Sequence, residues 1–265
     1  MSLSTSTFVW YELMTTDAPA ATAFYQQVVG WQAADAGMPG MDYTLLSAGE
    51  GHIGGLMALP AEALAAGARP GWVGYIAVDD VDDQAARLLQ AGGAVLRPAD
   101  DIPGVGRFAT VADPQGAVFC LFKNLSSQAP TPPAVGTPGT PGTPGTVGWH
   151  ELYATDLDSA WGFYSGLFGW AKDEVIDMGA MGTYQLFAAS AGRPAIGGMM
   201  IRPPQVPQAC WLYYVNVPAI DAAVERILAA GGQVLSGPME VPGGSWIVQG
   251  QDPQGAVFAL VAPVR

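Results

Sequence analysis

Apolar and polar residues alternate with two different periods along the first 125 positions, and each change of period marks an element. Trp10-Tyr11-Glu12-Leu13-Met14 alternates as a strand does. Asp17 then stands where a helix N-cap belongs, and Ala21, Phe24, Tyr25, Val28 and Val29 form a stripe at helical spacing. Gly30 ends that helix as a left-handed cap would. Strands are predicted at Tyr43–Ser47 and Ile53–Leu59. The pattern restarts with a strand over Trp72–Val78 and a helix whose stripe is Val81, Ala85, Leu88 and Leu89. Gly92-Gly93 closes this helix, and strands follow at Ala94–Arg97, Phe108–Ala112 and Val118–Phe122.

The whole pattern then recurs. Phe8-Val9-Trp10-Tyr11-Glu12-Leu13 returns as Val147-Gly148-Trp149-His150-Glu151-Leu152, an offset of 149 − 10 = 139. That offset also pairs Phe24-Tyr25 with Phe163-Tyr164, Gly30-Trp31 with Gly169-Trp170, and Trp72 with Trp211. It pairs the two Asp-Pro-Gln-Gly-Ala-Val-Phe runs that begin at Asp113 and Asp252. Ile53-Gly54-Gly55 matches Ile196-Gly197-Gly198 at an offset of 143, so one loop gained four residues and a later one lost them. The helices repeat too in the second module, with Ala160, Phe163, Tyr164, Leu167 and Phe168 in one stripe and Ile220, Val224, Ile227 and Leu228 in the other. The chain therefore reads as α+β, with two tandem modules at 6–125 and 147–265, each a pair of βαβββ units. Residues 126–146 hold a Gly-Thr-Pro repeat with no apolar face, which fits an exposed tether better than a docking motif.

Composition narrows the function. Ten Lys and Arg oppose 23 Asp and Glu, a net charge of −13, so the chain lacks the basic footprint that nucleic acid or an anionic membrane demands. Half of the residues are hydrophobic and only 12% are charged, which supplies a core and argues against disorder. No run of about 18 apolar residues exists, and Met1–Thr5 carries neither a basic nor an apolar leader region, so a cytoplasmic protein is expected. Cys120 and Cys210 sit in no metal spacing and read as buried small hydrophobes. Only two histidines are present, which leaves little for a histidine-rich metal site.

A strand, an Asp-capped helix ending in Phe-Tyr…Gly-Trp and a late Asp-Pro-x-Gly-x-x-Phe hairpin together resemble the vicinal oxygen chelate superfamily. That group includes glyoxalase I, bleomycin-resistance proteins and extradiol dioxygenases. The tandem Trp-x-Glu-Leu…Asp-Pro-Gln-Gly-Ala-Val-Phe pattern is similar to two-module actinobacterial proteins labelled glyoxalase-like or hydroxylase. The resemblance covers both modules. It implies curved mixed sheets around a cavity, modules that pair within one chain, and in metal-dependent members a divalent ion that chelates two substrate oxygens. The inherited ligand positions fall at Trp10, Val73 and Cys120, and at Trp149, Leu212 and Ala259. None of the six is His, Asp or Glu, so no metal is predicted at them, although family analogy leaves a displaced divalent site open.

The resemblance makes Trp10 face the cavity, and strand alternation then brings Glu12 to the same side; Trp149 and Glu151 follow in the second module. A carboxylate beside tryptophan in an apolar pocket suits acid–base catalysis, and equally suits a structural hydrogen bond. Trp10, Trp149, Trp72 and Trp211 are candidate stacking surfaces, and Arg107 a fork for an anionic group. Met57, Met199 and Met200 could line adaptable walls. His150 points away from the cavity, His52 has no counterpart in module two, and Asp113 and Asp252 are turn residues. The expectation is a protein that binds a small hydrophobic or aromatic molecule. The alternative is a lyase or dioxygenase-like enzyme that uses a displaced metal or a Glu12/Glu151 acid–base mechanism.

Overall fold

A computed structural model of the chain describes residues 6–38, 40–125 and 142–265. Repeat one runs β1 (Phe8–Thr15), α1 (Ala18–Val29), β2 (Gln32–Asp35), β3 (Tyr43–Ala48), β4 (Gly51–Ala58), a short α2 (Ala61–Ala65), β5 (Gly71–Ala77), α3 (Val81–Gln90), β6 (Ala94–Ile102), β7 (Gly106–Ala112) and β8 (Val118–Asn124). Repeat two runs β9 (Val147–Ala154), α4 (Leu157–Phe168), β10 (Ala171–Asp177), β11 (Thr183–Ala188), β12 (Ala195–Ile201), β13 (Cys210–Asn216), α5 (Ile220–Ala229), β14 (Gln233–Glu240), β15 (Trp246–Gln251) and β16 (Val257–Ala262). The strands make two open, mixed eight-stranded sheets, ordered β2-β3-β4-β1-β5-β8-β7-β6 and β10-β11-β12-β9-β13-β16-β15-β14. The α+β architecture with two tandem modules is as the pattern predicts. The predicted tether lies outside the described residues as far as 141. No helix among the described residues is long and apolar enough to cross a membrane.

The helices form where the stripes place them. The Asp17 side chain accepts from Ala20 N at 3.0 Å, and Gly30 caps the other end of α1 at φ 88°. Asp156 and Gly169 repeat this around α4. The second helices depart from the predicted stripes. Leu89 and Leu228 are 53% and 57% exposed, and buried Gln84 takes a core position in α3. Gln84 can do so because its Nε2 donates to Leu167 O at 2.9 Å.

The described residues divide into two compact units, and neither is a sequence repeat. One unit takes the second half of repeat one and the first half of repeat two (6–9, 73–125 and 150–211). The other takes the remaining halves (10–72, 142–149 and 212–265). In the first unit, Trp211 Nε1 donates to Tyr164 Oη at 2.9 Å, and Tyr164 donates to Asp113 at 3.1 Å. In the second, Trp72 Nε1 donates to Tyr25 Oη at 2.9 Å, and Tyr25 donates to Asp252 at 3.1 Å. Each Asp-Pro-Gln-Gly turn is thus held by the Phe-Tyr helix of the other repeat. The remaining oxygen of Asp113 accepts from the backbone of Gln115 and Ala117, and that of Asp252 from Gln254 and Ala256. Burial pushes both carboxyls above their ordinary range.

Candidate functional site

Strands β1 and β4 run parallel with Glu12 opposite Gly55, so Trp10, Glu12 and Met14 share one face with Gly55 and Met57. The two glycines after Ile53 answer to different neighbours. A Cβ on Gly54 would lie 2.0 Å from Tyr11 O, so Gly54 is there for backbone approach. A Cβ on Gly55 would lie 2.0 Å from Tyr43 Oη, so the tyrosine ring rests where a side chain would otherwise stand. From that seat Tyr43 donates to Glu12 Oε2 at 3.0 Å and accepts from Trp10 Nε1 at 3.0 Å. Trp10, Tyr43 and Glu12 are part-buried. The chain of donors runs from indole through phenol to carboxylate, which orients the carboxylate.

Repeat two rebuilds the arrangement. Glu151 stands opposite Gly198, and a Cβ on Gly198 would lie 2.3 Å from the ring of Tyr184. Gly197 matches Gly54, its Cβ position lying 2.2 Å from His150 O. Glu151 is more deeply placed, at 6% exposure. Beside it the part-buried Cys210 thiol is pushed up to about 11, chiefly by burial and then by the Glu151 charge. Cys210 is thus less enclosed than expected, whereas Cys120 is buried.

Other predicted residues lie elsewhere. Trp72 and Trp211 are committed through their indole N–H groups to the tyrosines that hold the Asp252 and Asp113 turns. Arg107 spans both oxygens of Asp82 at 2.7 and 2.9 Å and reaches Asp101 at 2.9 Å. His150 faces away from Glu151, fully buried, with its ring stacked on Phe8 at 4.4 Å and its Nδ1 2.7 Å from Ile196 O. Burial holds its pKa down to about 4, so the imidazole is neutral. His52 sits at the surface against Ser47. Met57 and Met200 share the faces of Glu12 and Glu151; Met199 points to the opposite side.

Tyr43 and Tyr184 were not singled out from the sequence. Their signal is the Ile-Gly-Gly motif itself, whose second glycine has no need to be glycine unless a large side chain from the neighbouring strand lies across it. Among the described residues no three His, Cys, Asp or Glu side chains could hold a metal ion together. A divalent site of three such ligands therefore does not fit the donors among the described residues.

Comparison with known proteins bears on both repeats. The family model described as "Glyoxalase/Bleomycin resistance protein/Dioxygenase superfamily" matches residues 7–121 and again 146–260. The "Putative glyoxylase CFP32" of Mycobacterium tuberculosis is 33% identical over 258 residues, covering 96% of this chain and 94% of the relative. The "Anthracycline biosynthesis protein DauV" of Streptomyces sp. is 30% identical over 274 residues, with 95% and 91% covered. Among solved structures, the Mn(II)-bound glyoxalase from Novosphingobium aromaticivorans superposes with a TM-score of 0.63 at 17% identity, over 98% of this chain and 82% of that one. The 2,2',3-trihydroxybiphenyl 1,2-dioxygenase of Sphingomonas wittichii gives 0.65 at 13% identity, over 98% and 91%. At those identities the likeness is one of fold.

Proposed function

Because the chain belongs to the glyoxalase/bleomycin resistance protein/dioxygenase superfamily, we propose that it binds a small, planar, hydroxylated aromatic molecule without help from a metal. The observation that carries this reading is the Trp10–Tyr43–Glu12 hydrogen-bonded set built over Gly55. The indole offers a stacking surface, and the carboxylate, oriented by Tyr43, accepts a hydrogen bond from a ligand hydroxyl. The Streptomyces relative is named for anthracycline biosynthesis, and an anthracycline is a fused, hydroxylated aromatic compound. In the inherited ligand positions Trp10, Val73, Cys120, Trp149, Leu212 and Ala259 supply no imidazole or carboxylate, which supports a metal-independent role. Such a protein would work in the cytoplasm.

A second reading follows from the same hydrogen bond. An oriented carboxylate can also serve as a general base, so Glu12 or Glu151 could take a proton from a bound phenol or carbon acid. This reading makes the protein a lyase that works by acid–base chemistry.

Titrating the intrinsic tryptophan fluorescence with 1,8-dihydroxyanthraquinone separates the outcomes. Saturable quenching is expected, unchanged by EDTA, with Glu12→Gln weakening binding by about tenfold as a charged hydrogen-bond partner is lost. A flat response across a panel of planar aromatics overturns the binding reading. Stoichiometric metal in the purified protein with chelator-sensitive turnover overturns the metal-free one.

A further inference from the structure

The face that carries Trp10, Tyr43 and Glu12 has a counterpart in repeat two, and the two differ in access. On β1, β3 and β4 the register puts Met14 opposite Met57, Met57 opposite Tyr43, and Leu45 opposite Gly55. Trp10, Glu12, Met14, Tyr43, Leu45 and Met57 therefore share one face, and every one of them is only part-buried. In repeat two Glu151, Tyr153, Leu186 and Met200 take the places of Glu12, Met14, Leu45 and Met57. All four are buried, at 6 or 7% exposure. An incoming ring thus meets an open carboxylate in repeat one and a closed one in repeat two.

Charge separates the same two stretches. Residues 1–68, which build the open face, hold six Asp and Glu and no Lys or Arg, a net charge of −6. The matching stretch of repeat two, 140–207, also holds six Asp and Glu, but Lys172, Arg193 and Arg202 bring it to −3. The open face is therefore made by a segment with no basic side chain except His52, which sits at the surface. Its aromatic members work in the same direction, because indole and phenol attract a cation over their ring faces. The thioethers of Met14 and Met57 add soft, polarizable neighbours. An anion would meet repulsion here and no fork to hold it.

We infer that the repeat-one face is the chain's one ligand site and that it selects planar aromatic cations: the fused ring lies against Trp10 while a protonated amine donates to Glu12. The inference rests on the binding reading above and adds to it the charge of the ligand. The net charge of −13 supports it from a distance, drawing cations toward the chain before contact.

The test compares 9-anthracenemethylamine, a cation at neutral pH, with 9-anthracenemethanol, its neutral analogue, on the full chain at low salt by fluorescence titration. Both offer the same ring and a hydrogen-bond donor, so the alcohol reports the binding reading and the ratio reports the charge. The wild type is expected to bind one molecule per chain, the amine about tenfold more tightly than the alcohol, the scale of a charge-assisted bond. Glu12→Gln should bring the ratio to about one, with its urea midpoint reporting that the variant is folded. Raising the salt from about 20 mM to about 1 M should shrink the wild-type ratio to about three, a readout that needs no variant. Equal binding of the two probes, or a ratio untouched by both Glu12→Gln and salt, overturns the inference and leaves the binding reading standing. Two equivalent sites per chain overturn the assignment to repeat one. If neither probe binds, both readings fall.

Discussion

The two Asp-Pro-Gln-Gly turns are held by the same atoms in both compact units, whereas the sheet faces beside them have diverged. Trp211 donates to Tyr164 and Tyr164 to Asp113 at the distances with which Trp72 donates to Tyr25 and Tyr25 to Asp252. On the adjoining strands repeat one has Phe108, Phe122 and Arg97 where repeat two has Ile247, Val261 and Ser236. The turns are reciprocal, each repeat supplying the tyrosine that the other's aspartate needs, so a change on one side alone would orphan a buried polar group. The faces carry no such mutual debt. The repeats share the turns they build for each other and the tyrosine each seats over its own second glycine, and differ on the faces beside the turns.

Breaking a turn should give the largest effect. Asp113→Ala leaves Tyr164 and two backbone N–H groups without their acceptor, and Asp252→Ala does the same to Tyr25, so each is expected to cost about 3 kcal/mol. Urea unfolding of the two variants checks the equality. A difference beyond about 1 kcal/mol would mean the shared geometry hides unequal energetics.

His150 comes next, because it breaks the likeness of the two first strands: repeat one has Tyr11 at that position. Its folded pKa near 4 lies below the unfolded value of about 6.5. Above pH 6.5 the ring is neutral in both states and its contribution is fully present. As the pH falls toward 4 the unfolded chain takes up a proton that the folded one refuses, and about 3 kcal/mol is lost. Asp113 and Asp252, with raised carboxyls, act in the opposite sense: their contribution is present below the unfolded value near 3.8 and lost as the pH rises through the folded value. His150→Tyr should therefore flatten the fall in stability between pH 6.5 and 4.5, measured by urea midpoints at each pH. An unchanged slope would show that the acid sensitivity arises elsewhere.

Local periodicity made α1 and α4 legible, since cap, stripe and left-handed glycine all lie within one short segment, Asp17 to Gly30 and Asp156 to Gly169. It missed β2, because Gln32–Asp35 is an exposed edge strand with almost no apolar signal. It misread α3, where Gln84 replaces an apolar residue because its partner, Leu167 O, is 83 positions away. The site divides in the same manner. Parity along β1 put Trp10 and Glu12 together, but Tyr43 joins them only through its seat on Gly55, a relation set by register between strands. The reciprocal turns were hidden for a plainer reason: Tyr25 and Asp252 are 227 residues apart, and each looked complete within its own repeat.

The smallest effect is the most discriminating, because it probes the one place where the shared turns differ. Gln115 Oε1 accepts from the backbone of Thr155 and Asp156, and its Nε2 donates to Asp156 O at 2.7 Å, so the turn also fastens the start of α4. Gln254, its counterpart, keeps the backbone bond to Asp252, but its Oε1 is buried without a hydrogen-bond partner among the described residues. A buried acceptor left unmade is a cost, and deleting it removes that cost along with some packing. Gln115→Ala should therefore lose about 1–2 kcal/mol, while Gln254→Ala changes stability by less than about 0.5 kcal/mol or raises it. Urea midpoints for the pair decide the matter. Equal losses would mean that Gln254 is as well held as Gln115 in solution, and the two units would then be alike in energy wherever they are alike in sequence.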